Sequence, residues 1–151
     1  MKKVFTLIIV LIFTVASQAQ SKTAEDVAIN KTITNYIENF FENNYDKMNE
    51  SLHPRLAKRG FNSLGSNKLS DDFPPEKLKE LMSTKQKFEV ERQSNIVENI
   101  TIYGNMASAC LRTGYPRTRW VEYIHLLKQE GTWKIINVFW EFEKNKAYET
   151  N

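Results

Sequence analysis

His53 and His125 are the only two histidines in 151 residues, so any imidazole chemistry in this chain must run through one of them. His125 lies two residues after Tyr123, a spacing that places both on one face of an extended strand. Trp140 stands in the next apolar run. A phenol, an imidazole and an indole each join an apolar body to a polar tip, a set suited to a flat ligand in a mostly apolar cavity. His53 precedes Pro54 and reads either as a residue at the rim of that cavity or as a helix cap answering the helix dipole. His125, between Ile124 and Leu126, also fits a hydrogen-bonded core or interface histidine, and Trp140 also fits plain sheet packing. If the strand faces are shifted by one residue, Trp120, Glu122 and Asn137 line the cavity instead, and a desolvated Glu122 becomes the acid or base.

The remaining side chains exclude the easily recognised chemistries. There is no P-loop, no glycine fingerprint of a dinucleotide site, no HExxH and no CxxC. Two unclustered histidines do not make a metal site, so neither metal nor cofactor is expected. Cys110 is the single cysteine, has no partner for an internal disulfide, and sits in the alternating run Ala107-Ser108-Ala109-Cys110-Leu111, where a small packed residue is expected rather than a nucleophile. Arg55, Lys58 and Arg59 form the one local basic cluster, which a solvated helix end explains as well as a nucleic-acid surface does. Glycosylation triplets begin at Asn30, Asn49 and Asn99 but carry little weight in a chain rich in asparagine.

Met1-Lys2-Lys3, the apolar run Val4 to Val15 and the small residues Ala16-Ser17-Gln18-Ala19 read as a secretory signal, residues 1–19, with a single domain over residues 20–151. The apolar run is too short to span a bilayer, so no membrane association is expected after cleavage, and the protein is expected to be exported to the periplasm or secreted. Loss of Lys2 and Lys3 leaves 19 of the 21 basic residues against 18 acidic ones, a net charge of +1, which argues against nucleic acid. Twelve per cent aromatic residues, 5 glycines and 4 prolines fit one ordinary core and exclude linker-rich chains.

Helices are expected first and a sheet last. Ile29, Ile33, Tyr36, Ile37, Phe40 and Phe41 mark one face of a long helix between Ala24 and Asn43. Asn43-Asn44 ends it, and a short second helix through Tyr45, Met48 and Leu52 must stop near His53 because of Pro54. Leu56 to Phe61 reads as a short strand, Asn62 to Asp72 as a loop long enough to act as a flap, and Pro74-Pro75-Glu76 as the start of a third helix. The period then changes to two. Phe88 to Asn95 reads as an edge strand, Ile96–Tyr103 and Met106–Thr113 as a hairpin about Gly104-Asn105, and Thr118–Gln129 and Thr132–Phe142 as a second hairpin about Glu130-Gly131. Lys144 to Asn151 is expected to fray.

In that second hairpin, strict alternation puts Trp120, Glu122, Ile124 and Leu126 with Trp133, Ile135, Asn137, Phe139 and Glu141. The opposite face holds Arg119, Val121, Tyr123, His125 and Leu127 beside Lys134, Ile136, Val138 and Trp140. Both faces are then mainly apolar and one helical layer covers only one of them, so a homodimer through the sheet is expected.

Leu52-His53-Pro54, Lys58-Arg59, the run Tyr103 to Ser108, the run Trp120 to Leu126, Gly131 to Asn137 and Asn137-Val138-Phe139-Trp140-Glu141 together resemble the nuclear transport factor 2-like superfamily. Within it the chain is most similar to the group described as putative lumazine-binding, and to SnoaL-like and ketosteroid isomerase-like cones. The resemblance implies an α+β fold, a cone-shaped roll of N-terminal helices packed on a curved antiparallel sheet. It also implies that the face of Val138 and Trp140 is concave, which makes His53, Tyr123, His125 and Trp140 the candidate ligand-binding residues. Two functions fit: an exported cone that binds a small aromatic or apolar molecule, or a partner, and a cofactor-independent isomerase or dehydratase with a His/Tyr or His/Glu pair. The fold alone does not choose between them.

Overall fold

A computed structural model describes residues 23–143, so the expected leader and the expected frayed tail lie outside the described residues. Helix α1 (Ala24–Phe41) starts from a capping box, in which Thr23 accepts from the Asp26 backbone while the Asp26 carboxylate accepts from that of Thr23. Its buried stripe is Ile29, Ile33, Tyr36, Ile37 and Phe41, as the spacing predicts. Asn43 takes a positive φ of 59° and Asn44 accepts from the Lys47 N–H, which ends α1 and caps α2 (Tyr45–Asn49). Among the described residues no helix is long and apolar enough to cross a membrane.

Strand β1 (Leu52–Phe61) begins four residues earlier than the sequence suggests, and His53 therefore lies in a strand rather than at a helix end. The irregularity between Leu52 and Ala57 absorbs His53-Pro54-Arg55: His53 Nδ1 accepts the Arg55 N–H at 3.0 Å, and Pro54, which has no N–H, is tolerated because β1 is an edge strand. Residues 62–73 then fold back along that edge. The Ser70 N–H reaches Gly60 O and the Phe73 N–H reaches Lys58 O, both at 2.7 Å, so the flap covers the open edge and delivers Phe73 to the interior.

Helix α3 (Pro75–Thr84) follows with Leu78 and Met82 buried. The expected edge strand from Phe88 to Asn95 is absent; Val90–Arg92 forms a single 3₁₀ turn that Gln93 closes through Phe88 O. Weak alternation there reflects Phe88 turning inward, stacked on Tyr115 at 4.1 Å, while Val90 faces solvent.

Among the described residues the sheet has five strands in the order β1-β5-β4-β3-β2, with β2 Ile96–Tyr103, β3 Met106–Tyr115, β4 Thr118–Gln129 and β5 Thr132–Phe142. β2 to β5 pair antiparallel as two hairpins joined in a meander, and β1 adds parallel to β5, making a curved, unclosed mixed sheet under the helices. The fold is α+β.

One irregularity decides the faces of β4 and β5. Between His125 and Leu126 the register shifts: Leu126 pairs with Ile135 but His125 with Asn137, leaving Ile136 as the extra residue of a β-bulge. Trp133 and Ile135 face the helices as alternation predicts. Beyond the bulge the phase reverses, and Val138, Trp140 and Phe142 take the inner face while Asn137, Phe139 and Glu141 turn outward. The apparent apolarity of both faces in the sequence is largely this phase change.

Candidate functional site

The inner face and the ends of α1 and α3 enclose a cavity of about 400 Å³. Its walls are aromatic: Phe40 and Phe41 from α1, Phe73 from the flap, Phe88, Tyr115 from β3, and Trp140 and Phe142 from β5. Leu78 and Leu81 of α3 close one side. Phe41 meets Tyr115 and Phe88 edge-on, at 6.0 and 6.4 Å between ring centres, so the wall is held by ring packing rather than by loops.

Trp140 owes its position to a missing side chain. Gly60 is its partner on β1, and a Cβ on Gly60 would lie 2.1 Å from the indole, so the ring lies directly over the bare backbone. On the other side Trp140 pairs with Glu122 of β4.

The polar groups of the cavity converge from three elements. Lys58 of β1 and Glu122 of β4 face each other across β5, with Lys58 Nζ 2.6 Å from Glu122 Oε1. The Trp120 indole N–H donates to the same oxygen at 3.0 Å. Tyr36 descends from α1, accepts from Lys58 Nζ at 2.7 Å and donates to Glu122 Oε2 at 3.0 Å. Lys58 and Glu122 are 6% and 1% exposed, which makes this a buried, hydrogen-bonded ion pair. Burial pulls the Lys58 ammonium below its ordinary range, and the Glu122 charge and hydrogen bond pull it back up. Burial first, then the Glu122 charge and hydrogen bond, pushes the Tyr36 phenol well above its usual range, so it remains a donor.

An ammonium has three protons and Lys58 places two; Glu122 Oε2 receives one proton and can accept another. Lys58 and Glu122 both line the cavity, and among the described residues one donor of the first and one acceptor of the second have no partner.

Of the four candidate residues read from the sequence, Trp140 lines this cavity. Tyr123 and His125 lie on the opposite face of the sheet, Tyr123 being 63% exposed, and His125 Nδ1 is 3.0 Å from Asn137 Nδ2 across the strand pair. His53 is engaged in the β1 bulge. The four are not brought together. The alternative set fares differently: Trp120 and Glu122 do line the cavity, whereas Asn137 is turned outward by the bulge. Lys58 was visible only as part of a basic cluster, and Tyr36 only as a core residue of α1; an inward place in the alternation of Leu56, Lys58 and Gly60 was the available signal. Among the described residues no group of three His, Cys, Asp or Glu side chains could hold a metal ion. Cys110 is buried on the outer face, where burial, with Glu98 nearby, pushes its thiol up.

An aromatic chamber with a charged floor, roofed by helices on a bent sheet, is the arrangement of a binding cone, and comparison with known proteins places it. The sequence matches the family described as putative lumazine-binding over residues 24–141. The chain belongs to that family. No curated protein matches it. Among solved structures it is similar to an NTF2-like protein from Shewanella baltica, with a TM-score of 0.70 and 22% identity, covering 82% of this chain and 99% of that one. A second NTF2-like protein, from Silicibacter pomeroyi, gives a TM-score of 0.69 at 11% identity, covering 81% and 100%. A ketosteroid isomerase-like protein from Erwinia carotovora gives 0.57 at 9% identity, covering 82% and 100%. These likenesses establish the nuclear transport factor 2-like fold; at such identities they carry no activity across.

Proposed function

We propose that this putative lumazine-binding domain holds a flat, largely apolar heterocycle in the cavity, with one polar edge of the ligand read by Lys58 and Glu122. The observation that carries the reading is the uncommitted donor and acceptor at the floor of an aromatic chamber. A ring edge bearing a carbonyl beside an N–H is complementary to that pair, and the aromatic walls favour a planar body. Binding without transformation is favoured over proton transfer for a physical reason. Glu122 already receives Lys58, Trp120 and Tyr36, and taking a proton would leave the buried Lys58 ammonium without its counter-charge. The enzymatic alternative retains one argument, that Lys58 could polarise a ligand carbonyl next to the Glu122 carboxylate.

Two further elements belong to the same proposal. The leader-like residues 1–19 support export to the periplasm or secretion, with the domain acting without cofactor or metal. The exposed Tyr123 and Phe139, directly paired on the outer face, support a homodimer through the sheet, though the apolar patch is smaller than strict alternation suggested. Light scattering at micromolar concentration then gives twice the chain mass, and a monomer overturns the dimer.

The test of the binding reading is titration with lumazine and with a ring of the same size lacking the carbonyl/N–H edge, followed by native mass spectrometry and tryptophan fluorescence. One-to-one binding of lumazine with quenching is expected. Failure of lumazine, and of a panel of lactam heterocycles, to bind or to raise the melting temperature overturns it.

A further inference from the structure

Among the described residues Lys85 is the one cation of the cavity wall that no carboxylate pairs. It caps α3, its N–H bonding Leu81 O at 3.0 Å, and its ammonium reaches Phe41 O at 3.2 Å and Gln86 O at 3.3 Å. It lies 4.6 Å from the centre of the Phe40 ring. Two of its three protons thus go to neutral carbonyls. Among the described residues no carboxylate comes within ion-pair distance, in contrast to Lys58 with Glu122, Lys87 with Glu89 and Lys128 with Glu25. The floor pair Lys58–Glu122 cancels itself, so the described lining of the cavity carries a net single positive charge, located at Lys85.

From this unbalanced charge on an apolar wall we infer that the natural ligand is a monoanion: a flat apolar body carrying one carboxylate or similar anionic group, which pairs with the Lys85 ammonium while the rest of the ligand fills the aromatic chamber. The inference rests on the binding reading above and deepens it. An anion there meets the ammonium in a partly desolvated setting, where a charge-assisted hydrogen bond is stronger than in water. Burial also pulls the free Lys85 amine down to about 8, a cost that an arriving anion would relieve. A purely structural role, capping the end of α1 through Phe41 O, predicts no preference for ligand charge, and this separates the two explanations.

The experiment compares 2-naphthoate with 2-naphthalenemethanol, the same ring with and without charge, by calorimetry at pH 7. The proteins are wild type, Lys85→Met and Lys85→Arg, each checked for folding by circular dichroism. The wild type is expected to bind the anion roughly tenfold or more tighter than the alcohol. Lys85→Met is expected to bring the two together within about twofold by losing anion affinity alone, and Lys85→Arg to retain most of the preference. An equal affinity of wild type for both probes overturns the inference and leaves the cavity reading intact, as does an anion preference that survives Lys85→Met. Binding of neither probe overturns the inference, while the cavity reading falls only with the failure of lumazine and the lactam panel. Should Lys85→Met fail to fold, Lys85→Gln and the wild-type comparison carry the same test.

Discussion

Glu122 and Tyr123 are adjacent on β4, yet they live in different media. Glu122 is 1% exposed, bound by an ammonium, an indole and a phenol, and lines a cavity; Tyr123 is 63% exposed and meets Phe139 and Cys110 on an open sheet. The same alternation separates Trp140 from Phe139 one strand away. A side chain's chemical type therefore predicts little until its face is known. Burial makes the inner polar groups energetically coupled, whereas outer ones exchange with water at little cost.

The largest expected effect breaks that coupling. Glu122→Leu leaves the Lys58 ammonium buried without its counter-charge and should lower stability in urea by about 3–5 kcal/mol. The double variant Lys58→Met/Glu122→Leu should recover at least half of this, since the two charges then leave together. A loss below about 1 kcal/mol for the single variant would mean the pair is not buried in solution. Next in size is ligand affinity. Trp140→Ala should weaken lumazine binding roughly tenfold or more, because a ring wall of the cavity is removed, whereas Tyr123→Ala should stay within about twofold. Circular dichroism separates a lost wall from a lost fold. An unfolded Trp140→Ala chain would mark the indole as core.

How much of this was legible depended on whether the local pattern had one interpretation. α1 was readable because Ile29, Ile33, Tyr36 and Ile37 admit only one face, and the two hairpins because Gly104-Asn105 and Glu130-Gly131 punctuate unbroken runs of alternation. The cavity faces were not. Ile135-Ile136-Asn137-Val138 contains no glycine or proline to announce a bulge, and an extra residue inverts every position beyond it. That one residue carries Trp140 to the face of Glu122 and separates it from Tyr123 and His125. Lys58 was hidden for another reason: its partner is 64 positions away, and nothing local distinguishes a buried paired lysine from Arg55 or Arg59 beside it in the chain.

A smaller effect isolates the second lysine of the cavity, Lys85. Lys85 has its folded value pulled down to about 8 by burial, against 10.5 in the unfolded chain. Below pH 8 both states hold the proton and the full desolvation cost is present. Between pH 8 and 10.5 the unfolded chain binds more protons, so stability should rise with pH, by roughly 1–2 kcal/mol once the partial exposure of the side chain is allowed for. Lys85→Met has no such proton to lose. The difference between wild-type and variant urea midpoints should therefore shift in favour of the wild type from pH 8 to pH 10, while Lys58, present in both, cancels. A difference that stays flat would place the Lys85 ammonium in ordinary water.

The smallest effect is expected where the sequence placed the most chemistry. His125 is exposed, its ring nitrogen lies beside the Asn137 amide, and its neighbours across the strands are Ser108 and Asn137 rather than any wall of the cavity. His125→Gln keeps a polar side chain of similar reach and leaves both strand partners able to bond water. Stability should change by less than about 0.5 kcal/mol, as for surface substitutions generally, and lumazine affinity by less than about twofold. A homodimer through this face is the one arrangement that would enlarge the effect, because His125 would then be desolvated against a second chain. In that case the loss should depend on protein concentration and vanish on dilution below the dimer's dissociation constant. A concentration-independent loss of ligand binding in His125→Gln would instead require the imidazole to reach the ligand through the sheet, which the packing of Ile124, Leu126 and Val138 beneath it does not permit.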